Sequence, residues 1–123
     1  MDSFTKGYSP FFGMNQHDLL SVEWDQPNNV VTFFFAGGSK VKLGVEGDCC
    51  STSWIEHLEL PNSVVGLRIV AVEALPTESD DSGQYDLLQI YQTIFRLSNG
   101  DSIKLEYRNS SNGYYGGYIV RLK

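Results

Sequence analysis

Two glycine-containing turns, Gly37-Gly38 and Asn99-Gly100, restrict the fold of this chain more than any other feature of its sequence. Glycine adopts the positive φ angles of tight hairpin turns without steric cost, and Asn-Gly is typical of a two-residue hairpin loop. Each turn lies between two runs rich in β-branched and aromatic residues, which favour strands. These runs are Val30 to Ala36, Ser39 to Val45, Tyr85 to Leu97 and Ser102 to Arg108. The sequence therefore predicts two antiparallel hairpins.

Three further strands and one short helix are predicted outside the hairpins. The strands run from Leu19 to Trp24, from Leu67 to Leu75 and from Tyr118 to Leu122. The segment Ser53-Trp54-Ile55-Glu56 fits a capping box, in which a serine and a glutamate three residues later each bond a backbone N–H at a helix start. Pro61 would end this helix by about Leu60.

The predicted architecture is α+β and mostly β: a curved antiparallel sheet of about six to seven strands with one short helix. Residues 1–18 lack clean periodicity and carry Gly7, Pro10 and Gly13, so we expect an irregular N-terminal arm. Residues 19–123 are expected to form a single β-rich domain, because 123 residues is an ordinary length for one domain.

The charge balance bears on the class of partner. Nine Lys and Arg residues against fifteen Asp and Glu residues give a formal net charge of −6. A negative field disfavours non-specific binding to DNA, RNA or an anionic membrane. We therefore expect no direct DNA binding and no membrane association, although a local basic pocket can still hold a small anion.

Three features favour the cytoplasm. No apolar run approaches the ~18 residues needed to cross a bilayer. The N-terminal segment lacks the apolar core of a signal peptide. The two cysteines, Cys49 and Cys50, are adjacent and do not form a disulfide framework.

Loop length determines which side chains share a face of each hairpin. A two-residue Asn99-Gly100 loop would place Ile94 opposite Leu105 and Arg96 opposite Ile103. One face would then carry the apolar residues Ile90, Ile94, Ile103, Leu105 and Tyr107. The other face would carry Tyr91, Phe95 and Leu97 beside Lys104, Glu106 and Arg108. In the first hairpin, the same rule places Phe33 and Phe35 on one face with Lys40 and Lys42.

The aromatic and cationic face has two interpretations. It is either a platform on which rings stack against a base while Lys or Arg meets phosphate, or a face covered by the arm, the helix or another subunit. In the second case the lysine stems would lie along the covered surface and reach water. The exposure of the rings distinguishes the two.

The segment from Asp48 to His57 leaves four interpretations open. A cysteine close to a helix start can have a lowered pKa and act as a reactive thiol. Metal binding by the cysteines, His57 and an acid is disfavoured, because adjacent cysteines do not have the spacing of a zinc site. Backbone N–H groups at Ser51, Thr52 and Ser53 would form an anion site at the helix start. Both cysteines could instead be small buried hydrophobes.

The loop from Arg108 to Gly117 concentrates Asn, Ser, Gly and Tyr, which is the composition of antibody-type contact loops. Turn chemistry explains Asn112-Gly113 and Gly116-Gly117. It does not explain Tyr114-Tyr115 between them. We therefore predict that this loop binds a ligand or a protein.

Asp48-Cys49-Cys50, Glu56 and Ser111-Asn112-Gly113-Tyr114-Tyr115 together resemble an uncharacterised domain family of phage and bacterial proteins. The resemblance covers approximately residues 19–120. Ser51 stands where that family often has a glutamate, and the arm has no counterpart in it. The resemblance implies a small cytoplasmic protein of a bacterial or phage-infected cell, and it supplies no catalytic residues.

The leading hypothesis is a non-enzymatic, phage-type binding protein that captures a small anionic, nucleotide-like ligand, as in the sequestration of an immune signalling nucleotide. No common catalytic motif is present, and no cofactor or metal is expected. The predicted ligand-binding residues are Tyr91, Phe95, Lys104, Arg108, Asn112, Tyr114, Tyr115 and Arg121. We also expect a homo-oligomer, because a subunit boundary deepens a shallow site. The alternative is an acidic inhibitor of a nucleic-acid-binding bacterial defence protein, suggested by the loop around Asp80 and Asp81.

Overall fold

The fold was determined as a computed structural model, which describes residues 3–48, 50–80, 87–111 and 116–123. Nine strands and no helix occur within these residues. The strands are β1 (Leu19–Asp25), β2 (Val30–Phe35), β3 (Lys40–Gly47), β4 (Thr52–Glu59), β5 (Ile69–Ala74), β6 (Glu78–Asp80), β7 (Leu87–Leu97), β8 (Ser102–Ser111) and β9 (Gly117–Leu122).

The strands form two open antiparallel sheets rather than one. The first sheet has the order β1-β2-β3-β9, and the second has the order β4-β8-β7-β5 with the short β6 also paired with β7. The prediction of a mostly β, antiparallel fold is confirmed. The prediction of a single sheet with about six to seven strands is wrong, because β4 and β6 were not expected and the strands divide between two sheets.

The core lies between the two sheets. Inward and outward residues alternate along β8, where Ile103 and Leu105 are buried and their neighbours are half-buried. The Phe33 ring of the first sheet meets the Phe95 ring of the second, with centroids 5.1 Å apart. Packing two apolar sheet faces together removes both from water, which is the main favourable contribution to folding.

Residues 3–18 form an arm of turns that packs against this core. Phe4 and Met14 are buried, and the Gly13 N–H donates to the Phe4 carbonyl over 2.9 Å. The Phe11 ring lies edge-on to Phe95 with centroids 5.6 Å apart. The arm therefore covers part of the inner face of the second sheet.

The predicted helix is wrong, because its residues form β4. Ile55 is buried and pairs with Tyr107 of β8. An isolated eight-residue helix is marginal in water, whereas pairing with the ten-residue β8 satisfies the same backbone groups. Glu56 does not cap a helix: it lies at a register irregularity of β4, and its carboxylate accepts a 2.9 Å hydrogen bond from Trp54 Nε1.

Both hairpin registers differ from the prediction by one residue, because each loop has three residues instead of two. The Phe35 N–H donates to the Ser39 carbonyl over 2.9 Å, and the Leu97 N–H donates to the Asp101 carbonyl over 2.8 Å. The last loop residue in each case is a glycine with φ of +92° or +93°, as three-residue hairpin loops require.

This shift places the residues of β7 on the opposite face relative to β8, and those of β2 on the opposite face relative to β3. Phe95 pairs with Ile103 and both are buried, so Phe95 is a core residue and not part of a stacking platform. Ile94 pairs with Lys104 on the outer face. In the first hairpin, Phe34 rather than Phe33 shares the outer face with the lysines.

Candidate ligand-binding site

Most of the cations on the second sheet and its edges are held by carboxylates. Arg68 lies 3.1 Å from Asp18, and Arg96 lies 3.1 Å from Glu73. The hydrogen bond from Arg96 and its charge hold the pKa of Glu73 below its ordinary value. These arginines therefore already have carboxylate partners, which a bound anion would have to displace.

Arg108, a predicted ligand-binding residue, is paired in the same way. Its Nη2 lies 2.9 Å from Glu106, and its Nη1 lies 3.9 Å from Glu56. Burial acts to raise the pKa of Glu106, but hydrogen bonds from Gln92 and Arg108 outweigh it and lower that pKa. The carboxylate is therefore charged at neutral pH and neutralises Arg108.

The cations without a carboxylate partner gather elsewhere. Within the part of the chain that the structure describes, six form no ion pair: Lys6, Lys40, Lys42, Lys104, Arg121 and Lys123. All except Lys104 belong to the arm, to β3 or to the end of β9. The cations that remain available for a ligand therefore lie mostly on the first sheet and the arm.

A groove of about 570 Å³ lies between the arm and β9, and we call it the arm groove. Its rings are Tyr8, which is 85% exposed, together with the half-exposed Phe12 and Tyr118. Arg121 lies at one end, where its guanidinium donates to the Phe12 carbonyl. Exposed rings beside a cation are an arrangement suited to an aromatic anion.

A smaller pocket of about 190 Å³ continues from the arm groove. It shares Phe12 and Arg121 with the groove and adds His17, Lys40 and the polar side chain of Gln16. The two pockets therefore adjoin at Phe12 and Arg121, with Lys40 and the His17 imidazole in the smaller one. The volume of the arm groove alone is within the range of small-molecule sites.

Among the predicted ligand-binding residues that the structure describes, Arg121 alone lines the arm groove. Phe95 is in the core, and Lys104 lines a separate shallow pocket on the second sheet. Tyr91 is half-buried: its ring stacks on Tyr107 with centroids 4.8 Å apart, and its hydroxyl accepts from the Gly117 N–H and donates to Gln89. Asn112, Tyr114 and Tyr115 lie outside the described residues.

Sequence reasoning did not assign the three rings of the arm groove, Tyr8, Phe12 and Tyr118, to a binding site. Tyr8 and Phe12 lie within residues 1–18, where the apolar residues show no regular spacing. The sequence therefore did not indicate which side of the arm either ring faces. The one indication was compositional, because an irregular segment with several large rings must either bury them or present them.

The segment that begins at Asp48 and the described ends of the loop from Arg108 to Gly117 meet at a seam between the sheets. The Asp48 N–H donates to the Gly116 carbonyl over 3.0 Å, and the Gly116 N–H donates to Asp48 Oδ2 over 3.3 Å. Beside them, Asn109 is fully buried, and its Nδ2 donates to Ser51 Oγ and Ser53 Oγ over 3.0 and 2.8 Å. Ser53 lies in β4, and Ser51 directly precedes that strand. The anion site predicted at Ser51, Thr52 and Ser53 required a helix start, and these residues do not form one.

The seam is too closely packed to be a pocket. A Cβ added at Gly117 would lie 2.5 Å from Ser53 Oγ, and one at Gly47 would overlap Ser51 Oγ. Cys50 is exposed, so the interpretation of a buried hydrophobe is wrong for it, and Cys49 lies outside the described residues. The seam therefore has a structural role in joining the two sheets.

No helix of the length and hydropathy needed to cross a membrane occurs among the described residues. The same residues contain no group of three or more His, Cys, Asp or Glu side chains arranged to hold a metal ion.

Comparison with known proteins places the chain in a family. The model of a domain of unknown function, DUF7448, matches residues 16–120. Uncharacterized protein L278 of Acanthamoeba polyphaga mimivirus is 30% identical over 107 residues, which are 82% of this chain and 83% of that protein. No solved structure matches the chain. The expected resemblance to an uncharacterised domain family is confirmed, without support for a phage or bacterial origin, and because the family model covers most of the chain, this protein belongs to the DUF7448 family.

Proposed function

We propose that this protein is a non-enzymatic binding protein that captures a small anionic, nucleotide-like ligand in the arm groove. The observation that carries the proposal is the position of the unpaired cations. Arg121 lines the arm groove beside its exposed rings, and Lys40 lines the adjoining pocket that shares Arg121 and Phe12, while the arginines of the second sheet are held by Asp or Glu. A ligand with negative charge and an aromatic group matches both features.

The ligand would use the two ends of this surface differently. An aromatic base would stack on Tyr8, Phe12 or Tyr118, because base-to-ring stacking is worth about 1–3 kcal/mol and tolerates any base. The phosphate would meet the guanidinium of Arg121, whose planar fork suits phosphate oxygens. Lys40 and His17 in the adjoining pocket would add charge and hydrogen bonds.

The test is calorimetric titration of the purified protein with cyclic and ADP-ribose-derived nucleotides. We expect saturable binding to at least one of them. Arg121→Gln should weaken that binding by about 10- to 100-fold, because a hydrogen bond to a charged group contributes about 1.5–3 kcal/mol. Raising the salt concentration should weaken it further, since the site is open to solvent.

Lys104→Gln is the matched control, because Lys104 is also an unpaired cation but lies on the second sheet. It should leave the affinity unchanged. Binding that falls equally in both variants would indicate a general charge effect rather than a site. The absence of binding to every nucleotide by the folded protein would remove the proposal.

Oligomerisation belongs to the same proposal. The arm groove is open along one side, and Leu122 and Tyr118 of β9 are partly exposed beside it. A second copy seated against this strand would close the site and bury these side chains. Light scattering with and without the bound nucleotide should then give a mass above that of one chain.

An acidic protein inhibitor is the second candidate function. It is supported by β6, whose residues Glu78–Asp80 are all exposed and pair with β7 alone. An acidic strand at the edge of a sheet can meet a basic partner surface. Under this alternative, the double variant Glu78→Gln, Asp80→Asn would no longer inhibit the nucleic-acid-binding partner protein. Arg121→Gln would inhibit that partner as well as the wild type does.

A further inference from the structure

A second, smaller cavity lies between the two sheets, and it differs from the arm groove in chemistry. It has a volume of about 300 Å³. Pro10 and Phe11 of the arm cover it, Val72 and Ile119 form apolar walls, and Thr93 and Tyr107 contribute from the central strands β7 and β8. No charged residue lines it among those that the structure describes.

Two hydroxyl groups in this cavity have unused hydrogen-bonding capacity. Thr93 and Tyr107 are 4% and 8% exposed, and neither side chain hydrogen-bonds to another residue within the described ranges. Tyr91, stacked against Tyr107, has both a donor and an acceptor for its hydroxyl, so the lack of partners is not general to this region. Among the described residues, the fully buried side-chain polar atoms without a partner are Trp24 Nε1 and Asn109 Oδ1, so the hydroxyl oxygens of Thr93 and Tyr107 are open to the cavity, where a ligand or water can meet them.

The ionisation state of Tyr107 is consistent with a role as a hydrogen-bond donor. Burial, and to a lesser extent the adjacent Tyr91, raises the pKa of Tyr107 to about 12. The phenol therefore stays neutral across the physiological pH range. A neutral hydroxyl in an apolar cavity favours an uncharged ligand, because an ion would lose its hydration without a counter-charge.

We propose that this cavity is a binding site for a small, neutral, aromatic molecule that carries one hydrogen-bonding group. Its volume is about twice that of a 150 Å³ protein cavity that holds benzene, so one substituted ring fits. The ring would pack between Val72 and Ile119, and its polar group would bond the Thr93 hydroxyl. The cavity shares Pro10 and Ile119 with the lining of the arm groove, but it contains neither Arg121 nor the exposed rings proposed to hold the anionic ligand there.

The cavity has an accessible mouth. Ala74 lines it and is exposed, whereas Ala71 lies on the opposite face of the same strand, paired with Arg96. A bulky residue at position 74 would therefore block entry without replacing a core side chain. The same residue at position 71 would leave the cavity open.

The test is calorimetric titration with phenol, which has one hydroxyl, and with toluene, which has the same shape and none. We expect phenol to bind saturably to one site and more tightly than toluene. Ala74→Phe should weaken the binding of both compounds at least tenfold, and the control Ala71→Phe should change neither. Thr93→Val keeps the side-chain shape and removes the hydroxyl. It should weaken the binding of phenol about fivefold and leave the binding of toluene unchanged.

Three results would overturn the proposal. One is that neither compound binds the folded wild-type protein, in which case water alone meets the two hydroxyls. Another is that Ala74→Phe binds phenol as well as the wild type does. The third is that phenol and toluene respond equally to Thr93→Val. Arg121→Gln should not change the affinity for phenol. A negative result for the cavity can therefore be told apart from a negative result for nucleotide binding in the arm groove.

Discussion

The single residue Tyr107 is buried and also lines the 300 Å³ cavity between the sheets. Its ring stacks on Tyr91 at an interplanar angle of 5°, and only a small fraction of its surface is exposed. Stacked rings contribute packing energy beyond the area that they bury. Ionising the hydroxyl would place a negative charge in this apolar environment, which is the physical reason for its raised pKa.

The raised pKa makes a prediction about alkaline stability. Between about pH 10 and pH 12 the unfolded chain loses the Tyr107 proton while the folded protein keeps it, so ionisation favours the unfolded state. The free energy of unfolding should therefore be independent of this group below about pH 10 and should fall as the pH rises through 12. Urea unfolding at about pH 9 and about pH 11 measures the change.

The controls for this prediction are two tyrosine variants. Tyr107→Phe should remove the late step from the absorbance titration of tyrosinate and reduce the loss of stability at alkaline pH. Tyr118→Phe, at a half-exposed position, should do neither. A titration in which Tyr107→Phe removes a step near pH 10 instead would contradict the assigned environment.

At the scale of elements, β9 is joined to β4 and β8 through the seam. Gly117, the first residue of β9, approaches the Ser53 hydroxyl so closely that a side chain cannot fit. We expect Gly117→Ala to lower the free energy of unfolding by about 1–3 kcal/mol, because the added methyl group must displace Ser53 or Asn109. Urea unfolding of the variant and the wild type gives this value.

Gly7→Ala is the matched control for the seam. Nothing lies within 4 Å of the Cβ that it would add, and Gly7 has no positive φ. It should change the free energy of unfolding by less than about 0.5 kcal/mol. Equal effects of the two substitutions would show that the seam accommodates a methyl group.

The sequence predicted the elements well where composition and turn residues agreed. All seven predicted strands occur, and β1 differs from its prediction only in ending at Asp25. The β4 strand was missed because Ser53 and Glu56 match a capping pattern by spacing alone, while Thr52, Trp54 and Ile55 favour a strand. Pairing with β8 decided between these local preferences.

The faces of the hairpins could not be predicted from the glycines. Gly38 and Gly100 fit both a two-residue loop and the last position of a three-residue loop, and the two alternatives differ by one residue in register. That one residue moves Phe95 from the surface to the core. It also separates the rings of β7 from Lys104 and Arg108, so of the candidate site only Arg121 was found in advance.

At the scale of the whole molecule, the structure predicts that the two sheets unfold as one unit. Among the described residues, the buried hydrophobic side chains of both sheets form one cluster, in which the fully buried Phe33 and Phe95 pack against each other. Each sheet contains one tryptophan, Trp24 in β1 and Trp54 in β4. The fluorescence of each therefore reports on its own sheet once the other tryptophan is replaced by phenylalanine.

We expect the urea transitions of the two single-tryptophan proteins to coincide with the transition measured by circular dichroism on the same protein, as two-state unfolding requires. The substitution Phe95→Leu, which lies in the second sheet, is then introduced into both single-tryptophan proteins. It should lower the free energy of unfolding of each by about 1–3 kcal/mol. The loss should be equal whether Trp24 or Trp54 reports it. A Trp24 transition that stays in place while the Trp54 transition moves would mean that the first sheet is stable alone. The arm groove, formed by the arm and β9 of that first sheet, could then persist without the second sheet and its cavity.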